Sequence, residues 1–109
     1  MTEFPLVIRT PDRECFSGPA EGITVPALNG ELGVLAGHLP LLAGLKAGVV
    51  HVRTPGGGER WFAVDGGILG VERGSPVRLL AMQIADCASA TAARAAAAGF
   101  QNEAAPAAP

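Results

Sequence analysis

Short stretches of alternating apolar and polar residues recur along the first 80 residues, and turn-forming residues separate them. Asn29-Gly30 and Asp65-Gly66-Gly67 are examples of these turn signals. The intervening stretches carry β-branched residues at period two, which predicts strands over 4–9, 22–26, 48–53, 60–64, 68–72 and 77–82. A strand about every ten residues is typical of an antiparallel β-sandwich or a flattened barrel.

The composition changes after Met82, where the glycine and proline punctuation stops. Residues 88–98 contain eight alanines, and alanine has the highest intrinsic helix propensity. Gly99 is expected to end this helix in a left-handed cap. We therefore predict a β-sandwich domain over 1–84, a short helical stub over 85–100 and a flexible tail over 101–109.

Length, charge and cysteine content narrow the function classes. A chain of 109 residues supports one core. Eight basic against ten acidic residues give a net charge of −2, which offers no electrostatic footprint for nucleic acid. No stretch is long and apolar enough for a membrane span, and the amino terminus lacks a basic region followed by a long apolar one. We expect a cytoplasmic chain whose two cysteines are thiols.

Candidate catalytic groups are few. A zinc site would have to combine both histidines, His38 and His51, with a cysteine or carboxylate from distant strands. An enzyme could formally pair His38 with Cys15, although a small buried apolar role is the simpler interpretation of Cys15. His51 is expected on the solvent side of its strand, and His38 in a loop where its ring bonds the nearby backbone or a partner. We predict no catalytic, cofactor-binding or metal-ligating residue, and no cofactor.

The segment 29–42, which we predict as a loop, has the most unusual composition, with three glycines in the nine residues 30–38 around one acid and one histidine. Glycines at this density permit positive φ and the close approach of another chain. Its leucines can anchor the segment to the core or to a partner. A tight connection with no partner is the alternative interpretation of this segment.

Five motifs, taken in order, resemble the epsilon subunit of bacterial F-type ATP synthases. The resemblance covers Phe4 to about Arg94, and it rests on the joint order and spacing of the motifs. They are Phe16-Ser17-Gly18, Gly30-Glu31-Leu32-Gly33, Gly37-His38-x-Pro40-Leu41-Leu42, Leu45-Lys46-x-Gly48 and Gly66-Gly67-x-Leu69-x-Val71. The resemblance implies a ten-stranded antiparallel β-sandwich followed by a short Ala-rich helix.

The same resemblance implies a non-catalytic subunit of the central stalk, bound to the gamma subunit and resting on the polar loops of the c-ring. Such a chain couples the gamma subunit to the c-ring during ion-driven ATP synthesis or hydrolysis. It is a peripheral protein on the cytoplasmic face of the bacterial inner membrane. The C-terminal stub is a candidate contact to the catalytic alpha/beta head. The implied contacts to the c-ring or gamma are Gly30, Glu31, Leu32, Gly33, His38 and Leu42.

The sequence departs from this family near its C-terminus. Most members continue into an inhibitory two-helix hairpin, which in some members binds ATP through an Asp-x-x-Arg-Ala motif. Thr91 replaces the Asp of that motif, and too few residues follow Ala95 for a second full helix. We expect a chain without the inhibitory extension or its nucleotide site.

Two other hypotheses stay open from the residues alone. One is a free-standing β domain that holds a small molecule at the mouth of the sandwich, with the alanine helix as a lid. The other is the enzyme that pairs His38 with Cys15. For the core, the alternation predicts Phe62, Val64, Leu69 and Leu79, with Trp61 nearer the surface.

Overall fold

The computed structural model describes residues 3–104 and the side chains as far as Phe100. The described residues form eight strands and a C-terminal helix, in the mainly β arrangement that the sequence predicts. The elements are β1 (Phe4–Arg9), β2 (Glu14–Ala20), β3 (Gly22–Ala27), β4 (Gly30–Leu35), β5 (Leu41–Thr54), β6 (Gly58–Val71), β7 (Val77–Leu80), β8 (Ile84–Cys87) and α1 (Ala90–Ala104).

The strands hydrogen-bond in the order β2-β1-β7-β6-β5-β3-β4, and β8 also pairs with β6. All these pairs are antiparallel, as predicted, except β1 with β7, which are parallel. Parallel pairing needs a long crossover connection, and here the crossover comprises everything between the first and the seventh strand. Strands β2 and β4 therefore lie at the two ends of the hydrogen-bonded order.

Two 14-residue strands, β5 and β6, form a long hairpin that runs through both layers of the sandwich. The half of β6 near Ile68 pairs with β7, whereas the half near Trp61 pairs with β8. Strand β3 pairs with the second half of β5 through Gly22, Ile23 and Thr24, and its last residue, Ala27, pairs with Leu45 in the first half. The predicted ten strands are therefore wrong as a count, because each of these two long strands contributes a segment to both layers.

The change of layer in β6 occurs at Gly66 and Gly67, where the sequence predicted a turn. Both glycines have positive φ, 135° and 132°, and the strand continues through them. A side chain at Gly67 would overlap the carbonyl oxygen of Leu80 on the neighbouring strand. Glycine is therefore required by both the backbone conformation and the close approach of β7.

The core lies between the two layers and is apolar. Phe62, Val64, Leu69 and Leu79 are fully buried in it, which confirms the predicted core positions. Each fully buried side chain of this size stabilises the fold by about 1.5–3 kcal/mol. Trp61 is half-buried on the outer side, as predicted.

Helix α1 packs on the outer side of the layer formed by β8 and the adjacent halves of β5 and β6. The Ser89 hydroxyl accepts a hydrogen bond from the Ala92 amide at 3.1 Å and so caps its first turn. Ala93 and Ala97, four residues apart, are buried against the sheet. No helix in residues 3–104 combines the length and the apolar character that crossing a membrane requires.

The helix begins and ends later than predicted. It starts at Ala90 rather than 85, and it continues through Gly99 to Ala104, so the predicted cap at Gly99 is wrong. Gly99 does not have positive φ, and the first strong helix breaker after it in the sequence is Pro106. Residues 101–104 of the predicted tail are thus helical, and 105–109 lie outside the described residues.

Candidate functional site

Segment 29–42, predicted as an unusual loop, contains a regular strand. Residues 30–35 form β4 and pair with β3 in continuous register. Positive φ occurs only at Gly30 and Gly37, at the entry to the strand and in the turn that follows it. Leu32 is half-buried and packs against the core, whereas Glu31 and Gly33 are exposed.

The six predicted contact residues lie on three different surfaces. Gly30, Glu31, Leu32 and Gly33 lie on β4, and Glu31 faces a groove beside α1. His38 lies in a cleft between two loops. Leu42 lies on the outer side of β5. No contact of these residues to a partner is tested by this structure of one chain, so all six stay predictions.

The apolar face, defined by Leu28, Leu42, Ile68, Leu80 and Met82, is the first of these surfaces. These side chains are 65%, 77%, 44%, 39% and 71% exposed. Ile68 lies opposite Gly44 on β5 and opposite Leu80 on β7, so the set is contiguous across three strands. A contiguous exposed apolar patch on a small domain is typical of a protein interface.

The outward direction of the apolar face follows from strand alternation. Leu69 and Leu79 point into the core, so their chain neighbours Ile68 and Leu80 point outward. A strand with one wet face would carry polar residues at those two positions. Sequence reasoning missed Leu28, Ile68, Leu80 and Met82, although the apolar pairs Ile68-Leu69 and Leu79-Leu80 were a usable signal.

The loop cleft, between residues 36–40 and 72–76, is the second surface. It has a volume of about 390 Å³, and exposed Leu35, His38, Leu39 and Arg73 line it together with Glu72. The His38 ring bonds the backbone carbonyl of Leu39 at 2.7 Å through Nδ1, as predicted for a loop histidine. A carbonyl oxygen only accepts hydrogen bonds, so Nδ1 is the donor in this bond, and Nε2 is left for a partner.

The helix groove, between α1 and the outer side of β3 and β5, is the third surface. It has a volume of about 650 Å³ and contains Glu31 and Arg94 at its margins. His51 lies within it, stacked on Trp61 with ring centroids 5.4 Å apart. The Nε2 atom of His51 is 2.7 Å from a carboxylate oxygen of Glu59. His51 is thus held on the outer, half-buried side of its strand.

The alternative chemistries gain no geometric support. The Sγ atom of Cys15 accepts a hydrogen bond from Arg13 at 2.9 Å, whereas His38 bonds Leu39, so the two do not form a nucleophile–base pair. Cys15 is half-buried against the core rather than fully buried. In the described part of the chain, no three His, Cys, Asp or Glu side chains come together in a metal-binding group. Helix α1 lies on a sheet face, where it cannot close the mouth of the sandwich.

Residues 3–85 match the family model described as ATP synthase, Delta/Epsilon chain, beta-sandwich domain. The chain is 38% identical over 81 residues to the ATP synthase epsilon chain of Brevibacillus brevis, covering 74% of this chain and 61% of that one. It is 44% identical over 71 residues to the ATP synthase epsilon chain of Dichelobacter nodosus, covering 65% of this chain and 50% of that one. It therefore spans about half to three fifths of the length of these relatives.

Solved structures of ATP synthases contain similar chains. One is in the Euglena gracilis mitochondrial enzyme, in an OSCP/F1/c-ring assembly, with a TM-score of 0.74 and 25% identity over 79% of this chain and 54% of that chain. Another is in the central stalk/c-ring assembly of the Tetrahymena thermophila mitochondrial ATP synthase. Its TM-score is 0.63 and its identity 18%, over 92% of this chain and 89% of that chain. The second likeness concerns the fold alone.

Proposed function

Because this chain belongs to the ATP synthase delta/epsilon family, we propose that it is a non-catalytic subunit of the central stalk of an F-type ATP synthase. In this role it joins the gamma subunit to the c-ring, both when ion flow drives ATP synthesis and when ATP hydrolysis drives ion transport. It lies at the cytoplasmic face of the bacterial inner membrane as a peripheral protein. The lack of an inhibitory two-helix extension stays a prediction from the sequence.

The apolar face is the observation that carries this proposal, and we assign it to the gamma subunit. Leu28, Leu42 and Met82 are each more than half exposed, which is costly in water for a domain without a permanent partner. Long-lived interfaces are enriched in apolar residues at their centre and polar at their rim. Lys46 and Arg78, both exposed, flank the apolar residues on the same outer side.

The loop cleft is the surface that we assign to the polar loops of the c-ring. It combines exposed leucines with charged and hydrogen-bonding groups, His38 and Arg73 among them. Such a mixture suits a partner that offers backbone groups and polar side chains. Glu31 remains available for a basic group of the ring loops, and α1 is the candidate contact to the alpha/beta head.

The β5–β6 hairpin suits the mechanical part of this role. It runs unbroken through both layers and belongs both to the strand order that contains the apolar face and to the layer that carries α1. Interiors packed at crystalline density are stiff and transmit strain. A load applied at the apolar face therefore reaches the rest of the domain through one continuous element.

Co-purification with the gamma subunit and the c-ring tests the proposal. We expect a tagged chain to retain both, and Leu42→Glu with Met82→Glu to lose gamma, because two charges would be buried against an apolar partner. We expect His38→Ala with Arg73→Ala to retain gamma and to weaken ring capture. Retention of gamma by every variant would contradict the assignment of the apolar face, and failure of the native chain to retain either partner would refute the function.

A further inference from the structure

Gly70, in the middle of the apolar face, is a strand glycine that the chain itself does not require. A Cβ atom added there would meet only the Cδ1 atom of Leu42, at 3.9 Å, an ordinary contact, and the φ of Gly70 is not positive. Gly44, by contrast, leaves space for Leu28, whose Cδ1 would be 2.9 Å from an added Cβ. A glycine inside a strand weakens the strand and often marks the close approach of a ligand or another backbone.

The missing side chain leaves a notch in the apolar face, and we call it the Gly70 notch. Across the strands, Gly70 pairs with Leu42 on one side and with Arg78 on the other. Along its own strand, the outward neighbours two residues away are Ile68 and Glu72. Pro40 and Pro76 add further apolar surface, and the depression has a volume of about 480 Å³.

We propose that the Gly70 notch receives one large apolar side chain of the gamma subunit and thereby fixes the position of gamma on the apolar face. This inference rests on the proposed function, because it takes gamma as the partner of that face. Neighbouring strands lie about 4.8 Å away on each side, so the gap between the backbones of Leu42 and Arg78 is about 10 Å wide. That width admits one inserted side chain.

The walls of the notch decide the chemistry of the inserted group. Leu42, Pro40 and Pro76 present carbon atoms to it, whereas Arg78 and Glu72 are exposed charged residues at the rim. A leucine, methionine or phenylalanine would bury its apolar atoms without stripping water from either charge. Anchors of this kind, seated in a pocket near the centre of an interface, contribute a large share of binding energy.

A glycine replacement series tests the notch by filling it. Gly70→Leu occupies the space of the inserted side chain, and Gly70→Ala occupies it in part. Both should fold, because an added Cβ makes only an ordinary contact with Leu42 and the depression beyond it has a volume of about 480 Å³. The matched control is Ser17→Leu, which adds the same side chain at an exposed position on β2, two strands away from β7. The thermal midpoint of each variant is measured first, and its affinity for purified gamma is measured second.

We expect Gly70→Leu to weaken gamma binding by at least about tenfold, Gly70→Ala to weaken it less, and Ser17→Leu to leave it unchanged. If Gly70→Leu lowers the thermal midpoint, Gly70→Ala carries the test. Equal binding by the native chain and the folded Gly70 variants would overturn the notch and leave the proposed function standing. No binding of gamma by the native chain would overturn the proposed function and the notch together.

Discussion

Gly67→Ala should destabilise the domain far more than a glycine replacement three residues away in the same strand. Gly67 has a φ of 132° at the point where β6 changes layer. An alanine Cβ there would overlap the carbonyl oxygen of Leu80 and lie 3.1 Å from the Cα atom of Ala81. Both atoms belong to the backbone, so no side-chain rotation relieves the contact.

The magnitude has two parts. Holding an alanine at this disfavoured φ costs about 1–3 kcal/mol. Forcing the neighbouring backbone away costs about 1–3 kcal/mol more, as in other overpacked sites. The sum of about 2–6 kcal/mol is a large part of the 5–15 kcal/mol that typically stabilises a domain. At the matched control, Gly70→Ala, neither cost arises, and we expect a change of less than about 1 kcal/mol.

Urea unfolding monitored by the fluorescence of Trp61 measures both variants. With a slope of about 1–3 kcal/mol per molar urea, Gly67→Ala should lower the midpoint by about 0.7 M or more. Gly70→Ala should leave it within experimental error of the native value or raise it slightly. A Gly67→Ala midpoint equal to that of Gly70→Ala would refute the claim that close backbone approach fixes the layer crossing.

Two further predictions concern the ends of the domain. The Arg60 guanidinium lies 2.6 Å from a carboxylate oxygen of Asp86, and its central carbon lies 5.2 Å from the ring centroid of Phe62 in the core. Arg60→Ala should therefore lower the free energy of unfolding, measured in urea, by about 1–2 kcal/mol. Asp86→Ala should cost less than Arg60→Ala, and the reverse order would contradict this account. Ala93→Asp places a charge between α1 and the sheet, so it should release the helix and make trypsin cleave rapidly after Arg94. Ala95→Asp, on the exposed side of the helix, should leave the cleavage rate unchanged. Equal cleavage rates for the two variants would contradict the packing of α1 on the sheet.

Strands with clear period-two alternation could be predicted from the sequence, and 4–9 matches β1 residue for residue. Strands β2, β4 and β8 were missed. The first two carry glycines, and β2 also carries Pro19, residues that normally interrupt strands. Strand β8 has four residues, too few for a period to appear. Their pairing partners supply the stability that their own sequences lack, and this support does not appear in the pattern of the strand itself.

The candidate surfaces were less accessible to sequence reasoning than the fold. The resemblance placed the contact residues in one segment, 30–42, but β4 and β5 carry them to three separate surfaces. The apolar face joins residues from 28, 42, 68, 80 and 82, which become neighbours only through strand pairing. The two adjacent apolar pairs in β6 and β7 were the local trace of that face.

The central claim is that this chain couples the gamma subunit to the c-ring, and ATP-driven membrane potential tests it most directly. The measurement uses inverted membrane vesicles that contain the synthase depleted of this chain, with ATP hydrolysis followed in the same sample. We expect hydrolysis to generate a membrane potential only after the native chain is added back, and not after addition of Leu42→Glu with Met82→Glu. A potential of equal size with and without the chain would contradict the coupling role.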